Sequence, residues 1–326
     1  MVYTSNFSSN RGSLGPKIGS LNCNGLGNRE KRDAVFEWLK NKREDIIVLQ
    51  ETHSTSATEG DWLRAWDGTI YFNHGSSNAR GTVILVKRQA QHVEILNHVV
   101  LSQGRAHYIE FEIEGTNFCL ANIYAPNNDD LNFLETVTFD LIARPRNDHL
   151  IMCGDWNTVL NNSLDKMGGS TTHANHRCQH FLNNFMNDHG FSDIFRLTHN
   201  SDKVFTHFNK KCKTASRLDF FVIEDRLVNF PICEAEVSHG YRSDHSYISL
   251  SIQGSAIEHG RGYWKLNNSH LDDTNFVEGV REIIRGTSDE NFDSFRGLWD
   301  VIKFKIKDLA IRYGKDKKKK VVKKKI

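Results

Sequence analysis

The sequence predicts an α+β fold in which two β-sheets pack face to face with helices outside, followed by a short helical extension. Three observations predict it. Short apolar runs recur from residue 17 to residue 252, separated by turn-forming residues. Some runs are continuous, such as Ile46-Ile47-Val48-Leu49, and suit strands covered on both faces. Others alternate: in 108–113, Ile109, Phe111 and Ile113 point one way. Strands are predicted over 17–22, 45–51, 82–87, 107–113, 118–124, 149–154, 218–223 and 246–252, and helices over 29–42, 129–143 and 176–189. The last helix carries Phe181, Leu182, Phe185 and Met186 on one face and stops at Gly190, the glycine that commonly follows a helix end. Strands joined by both hairpins and helices imply two packed sheets with helices outside. No internal repeat is visible.

Beyond residue 254 the character changes. Residues 255–262 have the composition of a linker, and two amphipathic patterns come after it. One holds Phe276, Val277, Val280, Ile283 and Ile284; the other holds Phe292, Phe295, Leu298, Ile302, Ile306, Leu309 and Tyr313. A helical hairpin explains both, and a coiled-coil seam is the sharper alternative. The expected organisation is a flexible N-terminus (1–16), a main domain (17–254), a linker and helical extension (255–314), and a Lys-rich disordered tail (315–326). That tail carries eight Lys and one Asp, +7 of a whole-chain net charge of +2, so the remainder sums to −5. Overall charge is therefore no argument for nucleic-acid binding by the main domain, and any such binding must use a local basic surface. The loop with Lys210, Lys211 and Lys213 is one candidate, and a plain solvated loop is the other reading. The 326 residues are 38% hydrophobic with no run of membrane-spanning length, and residues 1–15 lack the apolar core of a signal peptide. Six scattered cysteines without a CxxC pair fit a reducing, intracellular compartment.

The chemistry-bearing residues fall at strand ends. Asn22 and Asn24 follow the first strand, Glu51 the second, Tyr124 the 118–124 run, and Asp155 and Asn157 the 149–154 run. Asp219 lies in the 218–223 run, and Ser243-Asp244-His245 leads into the last strand. Taken alone, each motif is an ordinary turn, because Ser, Asp and Asn bond nearby backbone. Together they are acids and amides with one His and no Cys, a set suited to a hard cation, Mg²⁺ or Mn²⁺. His173, His176, Cys178 and His180 raise zinc, but one helix with His176 and His180 a turn apart reads better as a polar face. No HExxH, Walker A or GxGxxG motif occurs. The paired aspartates of a polymerase hairpin are also missing, since Asp129-Asp130 and Asp272-Asp273 both open helices.

The ordered series Leu21-Asn22-Cys23-Asn24-Gly25-Leu26, Leu49-Gln50-Glu51-Thr52-His53, Asn122-Ile123-Tyr124-Ala125-Pro126-Asn127, Gly154-Asp155-Trp156-Asn157-Thr158, Arg217-Leu218-Asp219-Phe220 and Ser243-Asp244-His245 resembles the endonuclease/exonuclease/phosphatase superfamily. Within it, the series is most similar to the apurinic-like endonuclease module of LINE-type retrotransposon proteins. The segment Tyr263-Trp264-Lys265-Leu266-Asn267-Asn268-Ser269 also resembles the stretch C-terminal to that module in such polyproteins. The resemblance implies a four-layer αββα sandwich of two packed mixed β-sheets. It also implies roles. Glu51 would ligate the metal, with Asn22 and Asp244 near it, and Tyr124 would bond the scissile phosphate. Asp155 would orient or deprotonate the attacking water, which Asn157 helps to fix. Asp219 would pair with His245. Thr206, Lys166, Ser243 and Asn24 would serve DNA or phosphate contacts. Abasic-site repair enzymes carry Asp where this chain has Asn24, which points to the LINE branch and away from efficient abasic-site incision.

The implied function is a Mg²⁺-dependent endonuclease that nicks double-stranded DNA and leaves a 3′-hydroxyl to prime reverse transcription. In the parent element it would work beside a reverse transcriptase domain and element RNA. A monomer is expected, made in the cytoplasm and active in the nucleus, with no membrane partner. Two rivals stand beside it. One is an abasic-site nuclease, or a small-phosphoester or lipid phosphatase, of the same fold. The other is a catalytically idle DNA-binding fragment of a retroelement.

Overall fold

The computed structural model describes residues 15–144, 148–168, 176–209, 211–228, 230, 232–253, 270–271 and 273–288, and most of 298–313. The segments expected as flexible N-terminus, linker and Lys-rich tail lie outside these residues, apart from Gly15 and Pro16, as do His173, Lys210, Phe292 and Phe295. The chain divides into two compact units, Met1–Ala256 and Ile257–Ile326.

The first unit is the αββα sandwich. One sheet has the order β14-β15-β1-β2-β4-β3, from β1 (Lys17–Asn22), β2 (Ile46–Gln50), β3 (Gly68–Asn73), β4 (Thr82–Lys87), β14 (Ile232–Ser238) and β15 (Tyr247–Gln253). The other has the order β10-β13-β8-β7-β6-β5, from β5 (Glu94–Ser102), β6 (Ala106–Ile113), β7 (Thr116–Tyr124), β8 (His149–Asp155), β10 (Phe191–Asp193) and β13 (Asp219–Glu224). A small third sheet joins β9 (Lys166–Met167), β11 (His207–Asn209) and β12 (Thr214–Ser216) in the order β11-β12-β9. Short helices α2 (Glu59–Ala65), α4 (Asn162–Asp165), α6 (Ile194–Thr198) and α7 (Asp225–Val228) fill connections.

Each large sheet is built around one parallel pair. β1 and β2 are joined through α1 (Arg29–Lys40), and β7 and β8 through α3 (Leu131–Ala143). A helical crossover returns the chain to the same end of the sheet, so both strands of each pair finish at one edge. The antiparallel neighbours start where those strands finish: Asp219 pairs with Asp155, and β15 runs antiparallel to β1. That topology, not sequence proximity, gathers the polar strand ends.

Side-chain alternation explains the layers. Ile46 and Val48 enter the core between the sheets with Ile18, Ile84, Ile109, Phe111, Leu120 and Phe221. Their neighbours Ile47 and Leu49 turn outward to meet Val35, Phe36 and Leu39 of α1. On the other sheet, Cys119, Ala121 and Met152 meet Leu134 and Leu141 of α3, and Leu182 and Phe185 of α5 (His176–His189). Each such aliphatic or aromatic side chain contributes about 1.5–3 kcal/mol by leaving water. α1 starts where Asn28 accepts the Lys31 N–H at 2.9 Å and stops at Lys40, two residues earlier than the pattern implied, where the Asn41 side chain bonds the Glu37 carbonyl at 2.8 Å. α3 likewise starts at Leu131, because Asp130 caps the Phe133 N–H and Asp129 has a φ of 54°.

In the second unit, α8 (Thr274–Ser288) buries Phe276 against Tyr313, with ring centroids 5.2 Å apart, and against His270 at 5.3 Å. The described residues between 298 and 313 are helical. No described helix is long and apolar enough to cross a membrane.

Candidate active site at the sandwich edge

The strand ends form one hydrogen-bonded web. Asn22, fully buried at the end of β1, donates its amide to Glu51 Oε1 at 3.0 Å and to Asp155 Oδ2 at 2.9 Å. Glu51 Oε1 also accepts the Tyr124 hydroxyl at 2.9 Å. One amide and one phenol thus join Glu51 of the first sheet to Tyr124 and Asp155 of the second. Glu51 has a φ of 50°, a left-handed conformation that costs a non-glycine residue about 1–3 kcal/mol. Backbone bonds from Gly25 N to Glu51 O (2.8 Å) and from Thr52 N to Gly81 O (3.0 Å) hold it.

Asp155 is placed by its own turn. Gly154 before it has a φ of 134°, and a Cβ there would lie 2.0 Å from the Ile123 carbonyl oxygen, so only glycine fits. Trp156 after it is buried, stacks on Phe220 and donates to the Phe220 carbonyl at 3.1 Å. Asn157 donates its N–H to Asp155 Oδ1 at 2.9 Å and its amide to the Ala125 carbonyl at 2.8 Å. Burial, and then the charge of Asp219, raise the Asp155 pKa to about 7, although His245, the Asn157 N–H and the Asn22 amide pull it down.

His245 Nδ1 lies 2.8 Å from Asp219 Oδ2. Burial is the largest influence on this imidazole and opposes its charge. Asp219, Asp155 and Asp244 together outweigh it and raise the His245 pKa to about 10. At neutral pH His245 is an imidazolium beside two buried acids. Ser243 fixes the approach to it: its hydroxyl donates to the Asn22 carbonyl at 2.7 Å and accepts the His245 N–H at 3.0 Å. Asp244 points to the more open side and accepts the Asn24 amide at 3.0 Å.

Thr206 lies beside the start of β13. It is fully buried, and its hydroxyl oxygen accepts the N–H groups of Leu218 (2.9 Å) and Asp219 (3.0 Å). It therefore supports Asp219 from behind. Lys166 lies in β9 opposite Ser216, in the small third sheet. Two neighbours carried no sequence signal of their own. Lys31 donates to the carbonyls of Cys23 and Asn24, at 2.8 Å each, and clamps the first loop; only its place in the first turn of α1 could have pointed to it. His207 bridges His245 through the backbone, and its ring lies 4.7 Å from that of His245. A groove of about 680 Å³ opens beside His245 and Asp244, lined also by His207, Lys211 and Arg242.

The donor set fits a hard divalent cation. It is carboxylate and amide oxygen, with no thiolate among the groups of the web. Asp219 Oδ1 is buried with no hydrogen-bond partner among the described residues. Side-chain atoms of Asp155, Asp219 and His245 lie within 4.8 Å of one another. The protonated imidazole has no free lone pair, so the carboxylates supply the metal-binding oxygens of this group. Glu51 and Asp244 form the more open side of the same web, with the buried Asn22 between Glu51 and Asp155.

Comparisons with known proteins bear on this arrangement. The chain is 27% identical over 308 residues to the transposon TX1 uncharacterized 149 kDa protein of Xenopus laevis; the match covers 91% of this chain but spans only 23% of that relative. The fold superposes on an AP endonuclease from Archaeoglobus fulgidus with a TM-score of 0.60 at 19% identity, covering 73% of this chain and 99% of that one. It superposes on the catalytic domain of Xenopus laevis APE2 with a TM-score of 0.59 at 22% identity, covering 74% and 94%. These likenesses show the fold. Residues 19–245, which run from the first strand through His245, match the model of the Endonuclease/Exonuclease/phosphatase family, and the chain belongs to that family of phosphoester hydrolases.

Proposed function

We propose that the protein is a divalent-metal-dependent DNA endonuclease of a retroelement, which nicks double-stranded DNA and leaves a 3′-hydroxyl for reverse transcription. The observation that carries this reading is the web that joins Glu51, Asn22, Tyr124, Asp155, Asp219 and His245 at one edge. The similarity to a transposon protein supports the retroelement context. Glu51, Asn22 and Asp244 would hold the cation, Mg²⁺ or Mn²⁺. When bound, it neutralises phosphoryl oxygen and the departing alkoxide.

The chain's own residues would do the rest. Asp155, held by Asn22 and Asn157, accepts a proton from the attacking water once ionised. The His245 imidazolium, kept charged by Asp219, stabilises the developing negative charge on the phosphorus-bound oxygens. Lys211 and Arg242 along the groove supply cations for flanking phosphates. The same reading gives a reverse transcriptase domain and element RNA as partners, and the nucleus as the place of action. The test is supercoiled plasmid with and without Mg²⁺, beside small phosphoesters as substrates. Nicked circles with ligatable 3′-hydroxyls are expected; turnover of small esters without nicking would reverse the assignment.

A further inference from the structure

The interface between the two sheets is largely apolar, and buried polar links cross it at a few places. Asn73 of β3 donates to the Ser102 and Ala106 carbonyls of the other sheet at 3.0 and 3.3 Å, and a polar seam lies directly behind the candidate site. Ser20, Gln50, Asn122 and His107 are all buried, and each lies on the face that looks across the sandwich, two residues along its strand from Ile18, Val48, Leu120 and Ile109 respectively. The Gln50 amide donates to Asn122 Oδ1 at 2.8 Å and to Ser20 Oγ at 3.1 Å. The Asn122 amide donates to the carbonyls of Leu49 (3.0 Å) and Val83 (3.1 Å) and meets His107 Nε2 at 3.3 Å. His107 Nδ1 in turn contacts His98 Nε2 at 2.9 Å. Asn122 therefore reaches from β7 into the ladder of the opposite sheet, at Leu49–Val83, the last register pair of β2 and β4.

The position of the seam matters. Gln50 immediately precedes Glu51, and Asn122 lies two residues before Tyr124. The Glu51–Tyr124 hydrogen bond spans the two sheets, so its length depends on how one sheet sits on the other. Apolar contact is non-directional and tolerates small shifts, whereas hydrogen bonds between buried partners have one geometry. Buried polar pairs that set register rather than strength are a known use of such groups.

We propose that Asn122, with Gln50, is a positioning residue: a peg between the sheets that sets the register of Glu51 against Tyr124 and Asp155. Its catalytic consequence rests on the proposed metal-dependent nicking, and its geometric consequence does not. The seam touches no reacting group; it acts through the strand ends that it spaces.

The experiment compares Asn122→Leu with Leu120→Ala, a core truncation in the same strand and the same interface that leaves the seam intact. Crystal structures read the Tyr124 Oη–Glu51 Oε1 separation, calorimetry reads Mn²⁺ affinity on the folded protein, and plasmid nicking reads kcat. In Asn122→Leu the 2.9 Å contact is expected to open beyond hydrogen-bond range. Mn²⁺ affinity and kcat should then each fall about 10-fold to 100-fold, the range for lost supporting contacts. Leu120→Ala should lower the unfolding temperature and leave all three close to wild type. If Asn122→Leu does not fold, Gln50→Met removes one of the three cross-sheet bonds of Asn122 and leaves those to Leu49 and Val83, and changes of the same direction but smaller size are expected. A wild-type separation in the seam variant, or an equal loss in Leu120→Ala, overturns the proposal. A wild-type protein that neither binds Mn²⁺ nor nicks would sink the nicking reading, while the separation still judges the peg.

Discussion

Two buried ionic clusters hang on the same short stretch, Arg217 to Asp219, and they differ in charge balance. Arg217 bonds Asp165 (Nε, 2.7 Å) and Asp193 (Nη2, 2.6 Å), and Arg196 also bonds Asp165. Two guanidiniums meet two carboxylates, and the charges cancel. Burial alone would raise the Asp165 pKa, but Arg217 and Arg196 more than offset it and hold it below the ordinary carboxylate value. Two residues on, Asp219 and Asp155 share one imidazole, His245. There the carboxylates outnumber the cations, and Asp155 is pushed up by burial and by the charge of Asp219. Burial also raises Asp193 in the first cluster, but there the neighbouring Arg217 pulls it back. The first cluster is compensated scaffold. The second is short of positive charge in a place where water screens little, which is what a site for a cation and a proton transfer requires.

Breaking the second cluster should cost activity above all, and at Asp155 it should not cost folding. Asp155→Asn and His245→Ala are each expected to lower nicking by about 10²–10⁴-fold, the range for a group acting in proton transfer or charge stabilisation. Asp155→Asn should unfold no earlier than wild type, since it removes uncompensated buried charge. Activity equal to wild type in both variants would refute the site. Breaking the first cluster should do the reverse. Asp165→Ala leaves Arg217 short of its main partner, and should cost about 3–5 kcal/mol in urea unfolding. Unchanged stability there would dissolve the contrast.

Metal should act on the Glu51 side of the web that adjoins the unbalanced cluster, and not on the balanced one. At about 100 times its Kd, Mg²⁺ is expected to stabilise wild type by about 2.7 kcal/mol, and Glu51→Ala by much less. Chelation should abolish nicking, and a chelated protein that nicks at full rate contradicts the metal assignment. The pH profile separates the two protons. Asp155 must lose its proton to act as base, so without tight metal the rate should rise with pH up to about 7. His245 must keep its proton, so the rate should fall towards about 10. In Asp219→Asn the falling limb should move down towards the ordinary 6.5, because the main charge holding that proton is gone. Stability has the same sign. The raised His245 pKa stabilises the fold fully below 6.5, and that contribution is lost as pH climbs to about 10. The smallest expected effect is at the groove: Lys211→Ala or Arg242→Ala should weaken DNA binding modestly and reduce the salt slope by about one counterion each.

Much of the site was legible because its residues sit in turns whose chemistry is local. Gly154-Asp155-Trp156-Asn157 combines a glycine-only conformation, a carboxylate and an amide that bonds it, all within four residues. The strands with two apolar faces were legible for the same reason. β3, β5 and β14 were not. They are edge strands held largely by backbone pairing, and the exposed side chains of Glu94–Ser102 carry little hydrophobic period. The strands of the small third sheet are too short to show one.

Composition and motif order by themselves determined the sandwich, the acidic strand ends and the chemistry they can hold, because burial pattern and turn preference are written in nearest neighbours. Only the tertiary structure decided what depends on distant chain segments meeting. Thr206 became a support behind Asp219, Asp155 became a carboxyl with a raised pKa, and Asn122 became a bridge between sheets. Each arises from low dielectric and a fixed partner geometry, which no single stretch of sequence contains.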